Sequence, residues 1–548
     1  MLKRRKIALF LIILLSVTKL NAQQTDNGFE LSKNLETFSA VYKNLHLNYV
    51  DQINPGDLVK TAIDAMLDKL DPYTIYIPEA DIEDVKLQLT GKYGGIGAMI
   101  HQRGDRIFIS EPYEGLPADK AGLKAGDEIL EINNQSTKGR TSSDVSEYLR
   151  GQSGSEITIK VLRDGKELTK TFQRKEINLD NVPYFGLVGD RIGYIKLTEF
   201  TNNAAKNVYD AFKKMKEESK GLNGLIIDLR GNGGGLLSEA VGIVNLFVDK
   251  GQVVVSTKGK IAEKNQIFKT NTYPYDTKIP VVVLVDNFSA SASEIVAGSL
   301  QDLDRAVIVG QRTFGKGLVQ NVIPLTYNAQ MKVTVSKYYI PSGRCIQAID
   351  YSHRDSDGKP TNVPDSLKVA FKTKGGRTVY DGFGIEPDVV IEPQYASLIA
   401  ISLITKFMAF DFATLFVKEH PTIAPVEEFE ITDEIYENFI SFIKDKDYSY
   451  TTITERLLNE VEETSKKEKY SKDIASEIEK LKDIIQKDKQ NDLIKFKDEI
   501  KEILLSEIVV RYYYQKGRIK AMLNQDDEVK KAVEVLLDKE KYNKILGK

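Results

Sequence analysis

The sequence predicts a multidomain protein of the α/β plus β class, in which an α/β core is joined to a small β-rich module and to helical segments at both ends. Three observations support this prediction. From about residue 185 to 395, β-like runs alternate with glycine-rich turns and helical patterns, which indicates an α/β layer architecture. Residues 91–175 hold short β-like runs separated by Gly, Asp and Asn. From Val426 to Lys516 there is no Gly or Pro, which favours long helices.

The amino-acid composition argues against several classes of function. The 548 residues allow three or four domains, and 41% apolar with 28% charged residues is typical of a globular protein with sizeable cores. The formal charge of −3 offers no basic surface for nucleic acid. A single cysteine excludes an internal disulfide framework and a Cys-rich zinc site, and the four histidines contain no His-x-x-x-His pair. We therefore expect no metal, no cofactor and no nucleic-acid partner.

The first 22 residues have the pattern of an export signal. Lys3 to Lys6 are all basic, an apolar run of 11 residues follows from Ile7 to Val17, and Ala22 offers a cleavage site. This pattern predicts a signal peptide over residues 1–22 and an exported protein, in the periplasm or elsewhere in the cell envelope. An uncleaved N-terminal anchor is the alternative.

Residues 23–88 form the predicted N-terminal helical segment. Apolar residues such as Leu35 and Phe38 recur near the helical period, and a second helix is predicted from Pro55 to Leu70. The pair Asp71-Pro72 breaks the helical pattern.

Residues 89–176 form the predicted β-module. One short helix is expected inside it at 142–150, with Thr141 or Ser142 as its N-cap. The β-like runs of this module are at 106–110, 128–132, 156–162 and 168–174.

Residues 177–395 form the predicted α/β core. The uninterrupted apolar run Val281–Val285 is typical of a strand buried on both faces of a parallel sheet. The predicted strands are at 191–200, 225–229, 281–285 and 306–309, and the predicted helices are at 203–219, 236–248 and 291–303. Two further strands within 319–340 are predicted to join at Tyr327-Asn328-Ala329.

Residues 396–548 form the predicted C-terminal helical region. Of the 50 residues 451–500, 24 are charged, and both signs are mixed. Apolar residues keep helical spacing at Ile474, Ile478, Leu481 and Ile485. We interpret the region as long amphipathic helices with solvated faces, added to a complete core, rather than as a nucleic-acid or membrane helix. Because an apolar row on a helix packs against something, the region is also a candidate for self-association or for binding an adaptor.

One motif imitates a nucleotide-binding loop. Gly310 to Gly317 nearly matches the phosphate loop G-x-x-x-x-G-K-[ST], but Gly317 replaces the hydroxyl residue that holds magnesium. The residues after it have a strand pattern, so no helix N-terminus would face the phosphates. We therefore expect no nucleotide. Lys316, between two glycines, can instead be held where water is scarce, and burial favours the neutral form of a lysine, which is a general base.

A hydroxyl partner for such a base lies in Asp286–Glu294. This stretch follows strand 281–285 and opens a helix, so a serine here would lie on a tight strand-to-helix turn with its Oγ exposed, as in a nucleophile elbow. The stretch is explained about equally well as an N-cap cluster followed by Glu. The three competing serines are Ser289, Ser291 and Ser293.

A second helix start carries Gly231 to Gly235, directly after strand 225–229. Its free N–H groups could stabilise an oxyanion. Two helix starts from one buried sheet, together with a lysine flanked by glycines, are consistent with a Ser-Lys hydrolase.

Taken jointly, these segments resemble the carboxyl-terminal processing proteases, also called tail-specific proteases. In the core, the segments that carry the resemblance are Asp228–Gly235, Phe288–Glu294, Thr313–Gln320 and Gly384–Asp388. Outside the core they are Leu70–Thr74, Tyr93–Gly97 and Pro117–Asp127. The resemblance covers roughly residues 35–395. It implies a serine endopeptidase that uses a Ser-Lys dyad and carries a PDZ domain.

The resemblance also implies a role for individual residues. Ser291 would be the nucleophile and Lys316 the base, with Gln320 orienting Lys316. Positions 316 and 320 have the same parity, so in an extended strand their side chains face the same way. The implied oxyanion-hole residues are Ala292 and either Gly234 or Gly235, and the choice between the two glycines stays open.

The alternatives to this dyad are a catalytic thiol at Cys345 and a protein without catalytic activity. Cys345 stands where relatives often carry Ser or Thr, but no His lies near it in sequence, so a buried small residue explains it better than a catalytic thiol. The other alternative is a catalytically inactive PDZ scaffold on the same fold. The joint presence of Ser291, Lys316 and Gln320 argues against it.

The PDZ-like module implies the substrate class. PDZ domains bind an extended peptide as an added strand and hold its terminal carboxylate in a nest of backbone N–H groups. The implied carboxylate-binding loop consists of Tyr93, Gly94, Gly95, Ile96 and Gly97. We therefore expect protein substrates with exposed, apolar C-termini.

Overall fold

The computed structural model of the chain describes residues 28–82, 92–469 and 471–548. The predicted signal peptide lies outside the described residues. The chain divides into two compact units, one reaching to Tyr76 and including Ile323–Val333, the other comprising Ile77–Val322 with Thr334–Lys548.

The first unit contains the N-terminal helices. Residues 28–48 are helical, and a second helix, Pro55–Leu67, follows. After this helix the Asp71 carboxylate accepts hydrogen bonds from the N–H groups of Tyr73 and Thr74, both at 2.9 Å. This side-chain turn is the physical reason for the break in the helical pattern, because it offers the backbone an alternative to the helix.

The β-module of the second unit is built on an antiparallel sheet. Its strands pair in the order Ala98–Arg103, Arg106–Pro112, Glu128–Ile132, Glu156–Arg163 and Lys166–Gln173, and Gln135–Ser136 pairs with Glu128–Ile132. A separate ribbon pairs Lys92–Gly95 with Lys175–Asn178. The module's helices are Pro117–Lys120 and Ser142–Leu149.

The cap of helix Ser142–Leu149 follows the sequence prediction. The Thr141 side chain accepts from Asp144 N–H, and the Asp144 side chain accepts from Thr141 N–H, which confirms Thr141 as the N-cap. The apolar face of this helix, including Val145, packs with alternate residues of the sheet such as Ile159 into one buried cluster.

A six-stranded sheet forms the centre of the second unit. Its strand order is Tyr184–Val188, Ile192–Lys196, Gly224–Asp228, Val281–Val285, Val307–Gly310 and Val389–Val390. The first pair is antiparallel and every other pair is parallel. The four predicted core strands and three predicted helices are confirmed, with ends shifted by at most about four residues.

Three helices cover one face of this sheet: Ala204–Glu218, Leu237–Asn245 and Ala292–Asp302. Inward-facing residues such as Ile227 and Val283 are fully buried and pack with Phe212, Phe247 and Val296 of the helical layer. The alternation of strand side chains sends Ile226 and its equivalents to the opposite face.

The opposite face is covered by the end of the chain. Helices Asp527–Leu537 and Lys539–Ile545 pack on it, with Val535 and Leu536 against Val282 and its neighbours. The expectation that the C-terminal region is only an addition to a complete core is therefore wrong for these two helices. They form one layer of the core, because the strands are apolar on both sides and need cover on both.

The remaining strands lie outside the central sheet. Val253–Gly259, Gln266–Lys269, Gln330–Tyr339 and Leu318–Pro324 belong to a second sheet, and the last two confirm the predicted pair within 319–340. The other strands are Ile75–Ile77, Ile349–Arg354, Pro360–Asn362, Ala370–Lys372 and Thr378–Tyr380. Short 3₁₀ helices occur at Glu79–Asp81, Ala262–Lys264 and Asp365–Leu367.

In the described part of the C-terminal region before Asp527, the regular structure is helical. Its helices are Leu398–Thr405, Met408–Glu419, Asp433–Ile443, Ile453–Glu468, Ser471–Gln490, Asp492–Lys495 and Lys497–Leu523. Helices Ile453–Glu468 and Ser471–Gln490 pack against each other, and Ile478 of the predicted apolar row is buried. Leu481 of the same row is half exposed, so part of the row stays in solvent.

In the described ranges, no single helix is both long enough and apolar enough to span a membrane. One bent pair, Leu398–Thr405 with Met408–Glu419, meets both conditions jointly across a bend of 60°.

Candidate active site

Ser291 occupies the sharp turn between strand Val281–Val285 and helix Ala292–Asp302. Its backbone has φ 56° and ψ −110°, a conformation that residues other than glycine rarely adopt. Ser291 itself is partly exposed. Observed strain of this kind at the start of a helix is typical of functional turns.

The other two serines of the motif have structural partners. Ser289 Oγ donates to the carbonyl of Leu229 at 2.8 Å, and Ser293 Oγ donates to the carbonyl of Asn232 at 2.8 Å. Both side chains are fully buried. Of the three serines, Ser291 is therefore the one that is partly exposed.

Glu294 connects the turn at Ser289–Ser291, the serine turn, with residues 313–316, the lysine loop. Its Oε2 accepts hydrogen bonds from Ser291 N–H at 2.8 Å and Lys316 N–H at 2.9 Å. Its Oε1 accepts from Gly315 N–H at 2.7 Å and from the Thr313 hydroxyl at 2.6 Å. Two donors on one oxygen place the backbone nitrogens of Ser291 and Lys316 within about 6 Å of each other.

Glu294 is fully buried, and the four donors named above are three backbone N–H groups and one hydroxyl, all uncharged. Burial raises its pKa from the ordinary value of 4.5 to about 7, and the four hydrogen bonds to the carboxylate partly offset that rise. From the sequence, Glu294 is predicted only as a helix-capping glutamate. The Ser-x-x-Glu spacing was the available signal, and it accounts for one of the four hydrogen bonds.

The glycines on either side of Lys316 are required by packing. A Cβ on Gly315, whose φ is +84°, would lie 2.4 Å from Ala348 Cβ, and a Cβ on Gly317 would lie 2.8 Å from Gln347 N. Gly317 N–H also donates to Gln347 Oε1 at 2.7 Å. The lysine therefore projects from a backbone that is closely held on both sides.

Gln320 lies on strand Leu318–Pro324, at the spacing expected from Lys316. Its amide nitrogen donates to Thr334 Oγ1 at 3.1 Å. This bond fixes the amide against a neighbouring strand, and the orientation of Lys316 by Gln320 stays a prediction.

Residues Gly231 to Gly235 form a loop, the glycine loop, which approaches Ser291 through Gly234. A Cβ on Gly234 would lie 2.8 Å from Ser291 Cβ and 3.0 Å from Ala292 N, whereas a Cβ on Gly235 would lie 2.5 Å from the carbonyl oxygen of Phe200. Gly234 N–H already donates to Asn232 Oδ1 at 2.9 Å, while Gly235 is exposed. Gly234 is thus closer to Ser291, but its N–H already has an acceptor, whereas Gly235 is farther from Ser291 and exposed. The choice between the two as oxyanion donor therefore stays open.

Asn232 is a further residue that the sequence analysis did not single out. Its amide donates to the carbonyl of Leu197 at 2.9 Å, and its own carbonyl accepts from Ala290 N–H and from Ser293 Oγ. It therefore joins the glycine loop to the serine turn.

The start of the glycine loop is anchored by buried charge. Asp228 is fully buried, and the neighbouring Lys196 and Arg230 together with the Tyr194 hydroxyl hold its pKa below the usual range despite the opposing effect of burial. Arg230 also contacts Asp526 and Glu528 at the start of helix Asp527–Leu537. The paired charges fix the strand end from which the loop departs.

The β-module has a groove beside its edge strand. Among the described residues, Ala98–Arg103 pairs with a strand on one side only, and a cavity of about 390 Å³ lies between it and helix Ser142–Leu149. The lining residues are Tyr93, Ile96, Ala98, Met99, Ile100, Tyr113, Ser146, Leu149, Arg150, Leu179 and Glu199.

The segment predicted to bind the terminal carboxylate, Tyr93 to Gly97, is partly a strand in the structure. Lys92–Gly95 is a strand paired with Lys175–Asn178, so Tyr93, Gly94 and Gly95 belong to a ribbon. Ile96 and Gly97 follow it at the end of the groove, and Gly97 has φ +71°. A Cβ on Gly97 would lie 2.6 Å from Leu116 Cβ, which explains the glycine.

Cys345 is partly buried, and burial raises the pKa of its thiol. A raised pKa disfavours the thiolate, which agrees with a packing role. Within the described ranges, no three His, Cys, Asp or Glu side chains are arranged to hold a metal ion.

Four family models match the chain. Peptidase family S41 matches residues 191–352, and a PDZ domain matches 108–163. The N-terminal domain of the activating protease CtpB matches 14–80, and the C-terminal helical domain of a probable PDZ-protease matches 399–536.

Known proteins resemble the chain over much of its length. A carboxy-terminal-processing protease of Bartonella bacilliformis is 35% identical over 329 residues, which are 59% of this chain and 75% of that protein. A probable CtpA-like serine protease of Staphylococcus aureus is 33% identical over 369 residues, which are 67% of this chain and 66% of that protein. A solved structure, the photosystem II D1 C-terminal processing protease, aligns with a TM-score of 0.36 and 26% identity over 64% of this chain and 86% of that one.

The α/β core, the PDZ domain, the match to peptidase family S41 and the two sequence relatives define a serine-type peptidase. More narrowly, the chain belongs to the carboxy-terminal-processing protease family.

Proposed function

We propose that this peptidase is an exported endopeptidase that cuts proteins with Ser291 as nucleophile and Lys316 as general base. The observation that carries the proposal is the shared hydrogen-bond acceptor: Glu294 Oε2 accepts from the N–H groups of both residues. Ser291 lies 25 positions before Lys316 in the chain, so their proximity is a property of the fold.

In the proposed reaction the neutral Lys316 amine takes the proton of Ser291 Oγ as the oxygen attacks the scissile carbonyl carbon. The oxyanion of the tetrahedral intermediate is stabilised by Ala292 N–H and by an N–H of Gly234 or Gly235. The lysine ammonium then gives its proton to the leaving amine, and an acyl ester on Ser291 remains. Water, deprotonated by Lys316, hydrolyses that ester and restores the serine hydroxyl.

Recognition is proposed to begin in the groove of the PDZ domain. An unpaired edge strand beside an apolar groove is suited to an added peptide strand whose terminal carboxylate reaches Ile96 and Gly97. The proposed substrates are envelope proteins with exposed, apolar C-termini. The export signal predicted over residues 1–22 supports the envelope location.

The experiment that tests the proposal compares Ser291→Ala and Lys316→Ala with wild type on an unstructured protein ending in apolar residues. Each substitution should lower the cleavage rate at least about a thousandfold with no change in fold, because each removes one partner of the proton transfer. The matched controls are Ser238→Ala and Lys260→Ala, both at exposed positions. A Lys316→Ala protein that cleaves near the wild-type rate would refute the dyad, and an inactive wild type would favour the PDZ scaffold.

A further inference from the structure

Glu294 makes more hydrogen bonds than a helix cap requires. A carboxylate has about four lone-pair sites, and four donors from two separate segments occupy them. One donor belongs to the serine turn and three belong to residues 313–316. The residue therefore joins the proposed nucleophile and the proposed base through their backbones.

A third segment is tied to the same carboxylate. Thr313 Oγ1, which donates to Glu294, accepts from Ile385 N–H at 2.6 Å. Phe314 N–H donates to the carbonyl of Ser289 at 3.0 Å, which adds a second direct link between the loop and the turn. Buried, fully satisfied networks of this kind rigidify the groups that they connect.

We infer that Glu294 is a positioning residue: its ionised carboxylate holds the backbones of Ser291 and Lys316 in the arrangement in which Lys316 can take the proton of Ser291 Oγ. This inference deepens the proposed function and rests on it. Glu294 acts through its two neighbours and does not itself touch the substrate.

Protonation of Glu294 breaks this arrangement. A protonated carboxyl turns one acceptor site into a donor. On Oε2 that donor would face the N–H groups of Ser291 and Lys316, which cannot accept, and on Oε1 it would reverse the hydrogen bond with the Thr313 hydroxyl. Because the pKa of Glu294 is raised to about 7, the carboxylate becomes fully ionised only as the pH rises through neutrality. Peptidase activity should rise over the same interval.

Lys316, Tyr338 and Cys345 are titratable groups on the described elements that surround Glu294. Lys316 lies on the loop, and Tyr338 lies on strand Gln330–Tyr339, where its hydroxyl donates to the carbonyl of Ser291 at 3.1 Å. Burial, the charge of Glu294 and the nearby Cys345 raise the pKa of Tyr338 well above its usual value, and burial raises the pKa of Cys345. Tyr338 and Cys345 therefore stay neutral near pH 7, so neither of them accounts for a response of Glu294 in that interval.

The first test is Glu294→Gln in the full chain. A glutamine keeps the shape but offers one acceptor oxygen and an NH₂ group, so one pair of donors loses its partner. We expect kcat on a peptide substrate to fall at least tenfold while KM changes less than twofold, because the PDZ groove is untouched. The control is Glu455→Gln, which alters a capping glutamate that accepts from Thr452 N–H far from the site in sequence.

A second variant keeps the test decisive if Glu294→Gln fails to fold. Thr313→Val preserves the side-chain shape and both hydrogen bonds to Oε2, but it removes a hydroxyl that favours the ionised carboxylate. The acid limb of the activity profile should then move to higher pH, by about one unit. A purely structural role for Glu294 would lower the amount of folded enzyme and leave that limb in place.

Labelling of Ser291 with a fluorophosphonate separates this inference from the proposed function. If wild type is labelled at Ser291 and Lys316→Ala is not, the dyad stands. Equal labelling rates for wild type, Glu294→Gln and Thr313→Val across pH 5–9 would then overturn the positioning role alone. If wild type is not labelled and Ser291→Ala retains full activity, the proposed function itself is wrong.

Discussion

At the residue scale, Ser291 shows how the site is held in a conformation that its own chemistry disfavours. A serine at φ 56° and ψ −110° costs about 1–3 kcal/mol relative to an ordinary backbone. Its N–H donates to Glu294, and its carbonyl accepts from Ile295 N–H and the Tyr338 hydroxyl. These surrounding contacts offset the local strain, so the turn depends on tertiary structure.

The contact between the glycine loop and Ser291 predicts the effect of a single methyl group. Gly234→Ala should lower the cleavage rate at least tenfold and destabilise the fold by about 1–3 kcal/mol, because the new Cβ would lie 2.8 Å from Ser291 Cβ at a φ of +105°. Gly233→Ala is the matched control, since a Cβ there meets nothing within 4 Å. Cleavage kinetics and urea unfolding of both variants measure the effect. Wild-type activity in Gly234→Ala would show that the loop does not adjoin the reacting serine.

At the element scale, the edge strand Ala98–Arg103 and helix Ser142–Leu149 create the groove between them. The strand leaves one row of backbone groups without a neighbouring strand, and the helix supplies the opposite wall. Deleting the whole module would be a poor test of recognition, because Arg103 forms a two-point ion pair with Asp411 of the C-terminal helices. A substitution inside the groove is cleaner.

Filling the groove should therefore remove the preference for particular C-termini. Ser146→Trp places a large side chain where Ser146 lines the cavity, whereas Glu147→Trp places the same side chain on the exposed side of the helix. We expect Ser146→Trp to raise KM about tenfold or more for a protein ending in apolar residues, with little change for the same protein ending in Asp. Unchanged discrimination in Ser146→Trp would mean that tails are recognised elsewhere.

At the scale of the second unit, the C-terminal helices unite the catalytic core and the PDZ domain. Asp526 and Glu528 contact Arg230 next to the glycine loop. Arg518 contacts Glu111 of the PDZ domain at 2.9 Å, and Tyr514 donates to Asp119 at 2.9 Å. The region that looked separable in sequence therefore takes part in both modules.

This architecture predicts that two deletions in the same region will behave differently. Removing residues 526–548 uncovers the sheet face beneath Val535 and Leu536. Each large apolar side chain buried there contributes about 1.5–3 kcal/mol. Several such losses equal a typical net stability of about 5–15 kcal/mol, so this truncation should not fold cooperatively.

Replacing residues 452–490 with a short Gly-Ser linker is the contrasting variant. The two helices of that stretch pack against each other, and Tyr450 and Asp492 at its ends are in contact, so a short linker can close the gap. This variant should lose only the helical circular dichroism signal of the two removed helices and should keep a cooperative melt. If it unfolds while the 526–548 truncation melts normally, the assignment of the core layer is wrong. Light scattering of the linker variant and of wild type also tests whether residues 452–490 contribute to the self-association expected of residues 396–548.

Much of the fold could be predicted from sequence because its signals are local. Val281–Val285 is a strand at the predicted residues, and Thr141 caps the predicted helix, since an apolar run and a capping box involve residues only a few positions apart. The site was predicted less completely. The resemblance implied Ser291 over its neighbours, but the reason lies in Ser289 and Ser293, whose hydroxyls donate to carbonyls about 60 positions away.

The sequence by itself determined the residue types of the site, the buried strands and the turns that end them. Each depends on hydrophobic period, capping or backbone conformation within one short segment. Only the tertiary structure decided that Glu294 serves both Ser291 and Lys316, because its other donors come from a loop about 20 residues further on. Only the tertiary structure placed Val535 and Leu536 on the central sheet, about 250 residues after the strand that they cover. Contacts between segments so far apart in sequence depend on which apolar surfaces are left to bury once the strands have assembled. A pattern within one short segment cannot predict them.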